Sequence, residues 1–202
     1  MLFIRVLIIC ILWFGVKLML SCTPPPPIEI NYNSINLAGI DNSGRFMMRH
    51  EGVDTMYANA VAFNLTLYDS TLTYYTNHSG NALKTLSFAP AMAFSVVESF
   101  IPVTKVEQIS VTTLFDIDED VEAGMDVSSL FVFDTGNDFE LYRNMDDAMA
   151  TLNTTQFTAS SSIVMVLRKS VANSVAQFTV RVTLDNGIEL SLRTGMFTIV
   201  PQ

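Results

Sequence analysis

The stretch FTVRVTLDNGIELSLR, residues 178–193, contains two alternating runs joined by a turn. Apolar residues occupy the even positions of both runs, at Val180, Val182, Leu184, Ile188, Leu190 and Leu192. A two-residue loop at Asn186-Gly187 would pair even positions with odd ones and turn one apolar face to water. A three-residue loop over 185–187, with Gly187 in the left-handed conformation of a G1 bulge, pairs Leu184 with Ile188 instead. We therefore predict an antiparallel hairpin with both apolar faces toward one core.

Three further segments have the composition of strands. VAFNLTLY at 61–68 alternates apolar and polar residues with a period of two, and VEQISVTTLFDI at 106–117 alternates similarly. IVMVLR at 163–168 is a continuous apolar run. After Gly195 the apolar positions change from even to odd numbers, which indicates a bulge or a strand that crosses between sheets. Together these segments predict a mainly β fold, an antiparallel β-sandwich of immunoglobulin-like or related type.

One segment has helical spacing. FELYRNMDDAMATL at 139–152 places its apolar residues at i, i+4, i+7 and i+11, which are Leu141, Met145, Ala148 and Leu152. This spacing predicts an amphipathic helix over one end of the sheet, with a core-facing stripe of Met and Leu. Asp126 or Ser128 can cap a shorter helical turn before residues 130–133. The sandwich therefore carries one or two short helices.

The amino terminus has the composition of an export signal. Arg5 precedes an apolar run, Val6 to Val16, that is shorter than the roughly 20 residues needed to span a bilayer. The chain then reaches Leu20-Ser21-Cys22, which resembles a bacterial lipobox, although Met19 and Leu20 stand where a lipobox usually has Leu and a small residue. We expect residues 1–21 to be removed and Cys22 to be acylated. The alternative is an incidental thiol behind a secretory signal or a short membrane anchor.

Acylation would explain both the lone cysteine and the prolines that follow it, as a lipid anchor and its spacer. Cys10 would leave with the signal, so Cys22 would otherwise be a lone thiol in an exported chain, where unpaired thiols are a liability. Two or three acyl chains, at about 0.8 kcal/mol per buried CH₂, make a stable anchor. Pro24 to Pro27 favour polyproline II, at about 3.1 Å per residue, and would hold the domain about 12 Å from the lipid; the alternative is a proline-rich ligand for an aromatic groove. We therefore assign residues 22–30 to an anchored stalk and 31–202 to one β-rich domain.

The charge of the chain limits its partners. The chain has 11 Lys and Arg against 20 Asp and Glu, and loss of two basic residues with the signal takes the formal charge from −9 to −11. This balance argues against a nucleic-acid partner, and the scattered basic residues do not favour anionic lipid. Membrane contact is therefore expected through acylated Cys22. Thr23 is not the Asp of an inner-membrane retention signal, and an acidic surface-export run is missing, so we predict the periplasmic face of the outer membrane, with display on the cell surface as the alternative.

An acidic run is the most suggestive polar cluster. Residues 116–126 offer oxygen ligands for Ca²⁺, foremost Asp116, Asp118 and Asp120. The spacing begins like an EF-hand loop, but the sixth position holds Val121 rather than Gly and the twelfth holds a Val rather than Glu. The alternative is a solvated acidic loop after a strand.

Other candidate chemistry is sparse. Tyr74 and Tyr75 are candidates for a loop that stacks on carbohydrate, with ordinary packing at a strand end as the alternative. His50 and His78 belong to no zinc-binding spacing, and no G-x-S-x-G nucleophile elbow occurs. We therefore assign no catalytic residue and no cofactor.

Two stretches resemble an uncharacterised family of Bacteroidetes lipoproteins, classified only as a domain of unknown function. They are SCTPPPPIEINYNSINLAGIDNSG at 21–44 and TTLFDIDEDVEAGMDVSSLF at 112–131. The resemblance implies a lipid-anchored, β-rich domain and supplies no functional residue beyond Cys22. We expect a non-catalytic binding or structural protein of the cell envelope. The alternatives are a glycan-binding or glycan-degrading accessory lipoprotein, and a fibre or adhesion subunit assembled through an edge strand.

Overall fold

The computed structural model of the chain describes residues 26–43, 54–72, 99–134, 142–154 and 158–201. These residues form a mainly β fold. The strands are β1 (Ile28–Ile30), β2 (Ser34–Asp41), β3 (Thr55–Tyr57), β4 (Val61–Tyr68), β5 (Phe100–Pro102), β6 (Val106–Thr113), β7 (Phe131–Asp134), β8 (Ser160–Leu167), β9 (Val175–Ala176), β10 (Phe178–Leu184), β11 (Glu189–Arg193) and β12 (Phe197–Val200). The helix α1 spans Met145–Leu152, and a 3₁₀ turn spans Ser128–Leu130.

The first sheet has the strand order β2-β4-β8-β7, and every neighbouring pair is antiparallel. The alternation in β4 is confirmed, because Phe63, Leu65 and Leu67 are buried in the main core. In β8, Ile163 to Leu167 are buried on both faces, which explains the continuous apolar run in its sequence. The outer face carries a second buried cluster, formed by Ile40, Ala62, Val164 and Val166.

The second sheet has the strand order β11-β10-β6, and its hairpin has the predicted turn. Thr183 pairs with Glu189, and the Leu184 N–H donates to the Ile188 carbonyl at 2.9 Å. Gly187 has a φ of 81°, the left-handed conformation of the bulge. The three-residue loop is therefore confirmed.

The burial predicted for the apolar residues of the second arm is met only at Leu190, which packs against the main core. Ile188 is 50% exposed and Leu192 38%, whereas Val180 and Val182 of β10 are fully buried. The register places the two apolar faces on the same side of the sheet, as predicted. Because β11 is the edge strand, however, its apolar side chains lie at the margin of the core and stay partly in water.

Three phenylalanines join the two sheets. The ring centroid of Phe178 in β10 lies 5.8 Å from that of Phe63 in β4 and 5.5 Å from that of Phe131 in β7. Phe63 and Phe131 lie 5.4 Å apart in an edge-to-face arrangement. Since the inner faces of both sheets contribute to one hydrophobic core, the predicted antiparallel sandwich is confirmed.

The remaining strands include parallel pairs that simple alternation did not predict. β1 pairs in parallel with β5, and β12 pairs in parallel with β3 and antiparallel with β9. β12 follows β11 directly in the chain but lies in a different sheet. The change of apolar positions after Gly195 therefore marks a strand that crosses between sheets.

The helix α1 is shorter than the apolar spacing predicts. It begins at Met145, because Asn144 has an extended backbone and its side chain accepts a hydrogen bond from the Asp147 N–H at 2.9 Å. Tyr142 and Arg143, which the apolar spacing places in the helix, precede it, and Arg143 forms an isolated β-bridge with Phe133. The core-facing stripe is confirmed at the buried residues Ala148 and Leu152.

The folded body begins earlier than we expected. Residues 28–30, which we assigned to the stalk, form β1, and Ile30 is fully buried in the main core. Residues 28–30 therefore belong to the folded β-rich body. No helix in the described part of the chain has both the length and the hydrophobicity needed to cross a bilayer.

Candidate functional site

An open groove of about 660 Å³ lies beside β7, between the 3₁₀ turn and the start of α1. We call it the arginine groove, because Arg143 and Arg168 both line it. Its other lining residues are Ser128, Ser129, Phe131, Val132, Tyr142, Asn144, Met145 and Asp147. The groove therefore combines two cations with hydroxyl, amide and aromatic side chains.

Residues 142–144 form one side of the groove and are attached to the edge of β7. The Phe133 N–H donates to the Arg143 carbonyl at 3.0 Å, and the Arg143 N–H donates to the Phe133 carbonyl at 2.7 Å. The next residue, Asn144, caps α1 through its bond to the Asp147 N–H. A strand edge therefore holds the backbone of Arg143, and the helix cap holds the residue after it.

The 3₁₀ turn and the end of β8 form the other side. The Ser128 hydroxyl accepts a hydrogen bond from the Val111 N–H at 2.8 Å and donates to Asp126 Oδ1 at 2.6 Å. The Arg168 N–H donates to the Leu130 carbonyl at 2.9 Å. Ser128 therefore holds the turn in place, and the turn in turn holds the backbone of Arg168.

The two arginines differ in their surroundings. Arg143 is half-buried and has further interactions, whereas Arg168 is exposed. Within the described ranges, Lys169 and Arg181 form ion pairs with acidic residues, and Arg168 takes part in none of these pairs. A guanidinium stays protonated at any physiological pH. Arg168 therefore presents a permanent positive charge at the groove, in a chain whose formal net charge is −9.

The lining suits recognition of an anion that also carries hydroxyl groups. A guanidinium matches the planar geometry of a carboxylate and can bind both of its oxygens. Tyr142 is 53% exposed, so its ring offers a face to a ligand. Ser129 and Asn144 are exposed as well and carry short polar groups. The carboxylate of Asp147 gives the same groove an acceptor for hydroxyl groups.

The acidic run that is a candidate Ca²⁺ site forms a loop whose carboxylates pair with a lysine. Lys169 Nζ lies 2.6 Å from Asp118 Oδ2 and 3.8 Å from Asp120 Oδ2. The hydrogen bond from Lys169 is the largest influence on Asp118 and holds its pKa below the usual value. Asp116 Oδ1 accepts a hydrogen bond from the Ala123 N–H at 2.7 Å. Over the described residues, no three His, Cys, Asp or Glu side chains form a group suited to a metal ion.

The remaining predicted site residues lie outside the described residues. They are the lipidation site Cys22 and the candidate stacking residues Tyr74 and Tyr75. His50 and His78 lie there too. The predictions for these positions therefore stay predictions.

The arginine groove was missed by the sequence reasoning, which placed Tyr142 and Arg143 inside a helix. A cap signal was present, because Asn144 is followed by Asp146 and Asp147, and acidic residues are favoured in the first turn of a helix. This signal would have started the helix at Met145 and left the Tyr-Arg pair outside it. Arg168 carries no comparable signal, since only the pairing of β7 with β8 brings it to the groove.

Comparison with known proteins finds little similarity. No family model and no curated protein matches the chain. Among solved structures, the chain is similar to the Streptococcus agalactiae AgI/II polypeptide BspA C-terminal domain, with 7% identity and a TM-score of 0.28 over 82% of this chain and 49% of that one. A second structure, named BspA_C_WT, matches with 7% identity and a TM-score of 0.26 over 82% of this chain and 50% of that one. The chain therefore spans about half the length of each of these two structures.

Proposed function

We propose that this chain is a lipid-anchored, non-catalytic binding domain of the bacterial cell envelope, and that its arginine groove binds a glycan bearing carboxylate groups. The observation that carries the proposal is the placement of Arg143 and Arg168 in one groove with the exposed ring of Tyr142. Among the described residues, the groove is open to solvent on one side.

The charge of the ligand follows from the exposed guanidinium of Arg168, with Arg143 adding positive charge to the same groove. An acidic protein repels an anion over most of its surface, so a local cationic group favours binding of one here. Charge-assisted hydrogen bonds from Arg are about twice as strong as neutral ones, and their fork geometry selects planar anions such as carboxylates. Arg168 is exposed and supplies such donors directly to the groove.

The sugar component follows from the remaining lining. An aromatic ring packs against the apolar face of a sugar, while its edge stays in contact with water. Tyr142 supplies the ring, and Ser129, Asn144 and Asp147 supply groups that exchange hydrogen bonds with hydroxyls. A uronic acid carries both the carboxylate and the hydroxyls, and so fits the whole lining.

The anchor completes the proposal, with Cys22 as the acylated residue at the periplasmic face of the outer membrane. β1 begins at Ile28, only six residues after Cys22. A fully extended chain spans at most about 3.6 Å per residue, so the body would lie within about 20 Å of the anchor. A binding domain held this close to the membrane meets ligands at the bilayer surface.

Calorimetric titration of the purified protein with uronic-acid oligosaccharides tests the groove, with neutral oligosaccharides of equal length as the comparison. We expect binding of the acidic series only. Arg168→Gln should weaken it by about tenfold or more, because a hydrogen bond to a charged group contributes about 1.5–3 kcal/mol. Arg181→Gln removes the same charge from β10, away from the groove, and should leave the affinity unchanged.

Two results would overturn this assignment. Equal binding of acidic and neutral sugars, or an Arg168→Gln variant that binds like the parent, would remove the groove from the binding site. Cleavage of the bound oligosaccharide that Asp147→Asn abolishes would replace binding with the glycan-degrading alternative.

Mass spectrometry of the amino terminus, after expression in a host with lipoprotein processing, tests the anchor. We expect a chain that begins at Cys22 and carries the mass of a diacylglyceryl group. The Cys22→Ser protein should lack the diacylglyceryl mass. It should either keep its signal sequence or be recovered in the soluble fraction. An unmodified Cys22 in the parent protein would count against the anchor and leave the groove assignment untouched.

A further inference from the structure

The outer edge of β11 has no hydrogen-bonded partner among the described residues, although β2 packs beside this strand. In the described part of the chain, β11 pairs with β10 and with no other strand. The Leu184 N–H donates to the Ile188 carbonyl and the Thr194 N–H to the Phe178 carbonyl, so even-numbered residues of β11 direct their peptide groups toward β10. The odd-numbered residues direct theirs outward, and these are Glu189, Ser191 and Arg193. Three N–H and three C=O groups are therefore available to another strand.

The opposite edge of the same sheet is covered. Along β6, the Val127 N–H donates to the Val111 carbonyl at 2.8 Å, and the Thr113 N–H donates to the Met125 carbonyl at 3.1 Å. At the start of β6, the Asn153 side chain exchanges two hydrogen bonds with the backbone of Val106, at 2.8 and 2.9 Å. Among the described residues, the β6 edge of the sheet is therefore hydrogen-bonded and the β11 edge is not.

The side chains of β11 are exposed except for Leu190, which packs against the main core. Leu192 is 38% exposed, and the neighbouring Ile188 is 50% exposed. On the other face, Glu189 and Arg193 are exposed. Glu189 has a loose contact, 3.7 Å from Arg181, and in the described residues Arg193 has no ion-pair partner. The strand therefore has solvent-exposed apolar surface at Leu192. It also has charges of opposite sign at its two ends.

We propose that β11 pairs with β11 of a second copy of this chain, antiparallel and centred on Ser191. A two-fold axis at Ser191 places Glu189 opposite Arg193 of the partner copy, and Arg193 opposite the partner copy's Glu189. The same register places Leu190 opposite Leu192 on the apolar face. The outward peptide groups of the three odd-numbered residues all find partners, and the two three-stranded sheets become one six-stranded sheet.

Charge selects this register over its neighbours. An axis at Glu189 places that carboxylate opposite its own copy, and an axis at Arg193 does the same with the guanidinium, so both are disfavoured by like charges. An axis at Leu190 or Leu192 leaves at least one charged residue of each copy opposite Ser191 instead of an opposite charge. Only the axis at Ser191 matches both charges and uses the whole strand.

The dimer is separate from the arginine groove. β11 packs beside β2, one edge of the first sheet, while the groove lies at β7, the other edge. Two copies joined at β11 would therefore keep both grooves open.

Charge reversal and its rescue test the pairing in analytical ultracentrifugation of the purified protein, over about a hundredfold range of concentration. We expect a reversible dimer. Glu189→Arg and Arg193→Glu should each raise its dissociation constant by about tenfold or more, since each places like charges opposite one another. The double variant, with both charges exchanged, should return to within about threefold of the parent.

The double variant lacks the contact between Glu189 and Arg181, just as Glu189→Arg does. If the double variant dimerises like the parent, loss of that contact cannot explain the weak dimer of the single variant. A parent protein that stays monomeric throughout, as it would if β11 instead accepted a strand of another protein, overturns the proposal. A double variant as weak as either single variant overturns the register.

Cross-linking provides a second test. Across the axis, the two Ser191 Cα atoms would lie about 5.5 Å apart, a separation that suits a disulfide. Ser191→Cys should therefore give a covalent dimer on oxidation. Arg181→Cys, on the same face of the neighbouring strand, would lie too far from its copy and should give no more dimer than the parent, which controls for Cys10 and Cys22. Equal cross-linking of the two variants would contradict the proposal.

Discussion

Tyr32 is a buried side chain that ties three parts of the chain together. It is 2% exposed, and its hydroxyl donates to the Leu152 carbonyl at the end of α1 at 2.9 Å. Because a phenol has a single proton, Ser161 must donate in the 2.6 Å hydrogen bond between the two hydroxyls. The residue therefore fixes the end of the helix against β8 from a loop between β1 and β2.

Tyr32→Phe should destabilise the fold by about 1–3 kcal/mol, because it leaves buried partners unsatisfied. Burial, opposed by the Ser161 hydrogen bond, raises the pKa of Tyr32. The folded state thus favours the protonated phenol. The stability that Tyr32 adds is therefore constant below about pH 10, and it is lost as the pH rises above that value. Urea denaturation of parent and variant should therefore converge at alkaline pH. Tyr142→Phe, at an exposed position, should change the stability by less than about 0.5 kcal/mol and show no convergence.

Asp69 makes the stability of the fold depend on pH in the acidic range, in the opposite direction to Tyr32. Burial alone would raise its pKa, but hydrogen bonds from Thr71, Asn31 and Asn33 outweigh burial and lower the pKa. Its carboxylate therefore stabilises the fold above the usual aspartate pKa of about 4, and this stability is lost as the pH falls through the lower folded value. Asp69→Asn should flatten the acid limb of the stability curve. Thr71→Val removes the 2.6 Å hydrogen bond and should move that limb to higher pH. An acid limb unchanged in both variants would contradict this role.

The hairpin between β10 and β11 depends on one glycine. Gly187 has a φ of 81°, and a Cβ at this position would meet no atom within 4 Å. Gly187→Ala should therefore cost about 1–2 kcal/mol from backbone conformation alone, and Gly187→Asn less, since Asn tolerates this region. Gly195→Ala is the matched control, because its surroundings are equally open and its φ is not positive. Equal losses at the two positions, measured by thermal unfolding, would show that the left-handed conformation is not the cause.

Elements with strong local patterns could be predicted from the sequence. The alternation in 61–68 and the turn at 185–187 gave β4 and the hairpin register, because a period of two and a left-handed glycine are local requirements. The start of α1 was misplaced because the apolar spacing continues across Asn144, whose capping role overrides it. The exposure of β11 could not be predicted, since its apolar pattern matches that of a covered strand and only the sheet order makes it an edge.

At the scale of the molecule, the candidate site was the least predictable feature. Arg143 and Arg168 are far apart in sequence, and they meet because β7 pairs with residue 143 on one side and with β8 on the other. Long-range pairing of this kind leaves no periodic signal. The acidic run, by contrast, is conspicuous in the sequence, yet its Asp118 is engaged by Lys169 in the structure. Clustering along the chain is thus a poor guide to sites built across sheets.

The sandwich itself should behave as one cooperative unit, because Phe178 contacts Phe63 and Phe131 across the interface of its two sheets. Phe178→Ala should cost about 3–5 kcal/mol, the range for removing a buried aromatic side chain, and Phe178→Leu should cost less. If the core is shared, amide hydrogen exchange should accelerate by a similar factor in β4 and β8 of the first sheet and in β6 and β10 of the second. Faster exchange confined to β6 and β10 would mean that the sheets unfold separately. The arginine groove is built on β7, in the first sheet, and β11 lies in the second sheet. The Phe178 variants therefore test whether the stability of β7 depends on packing against the second sheet.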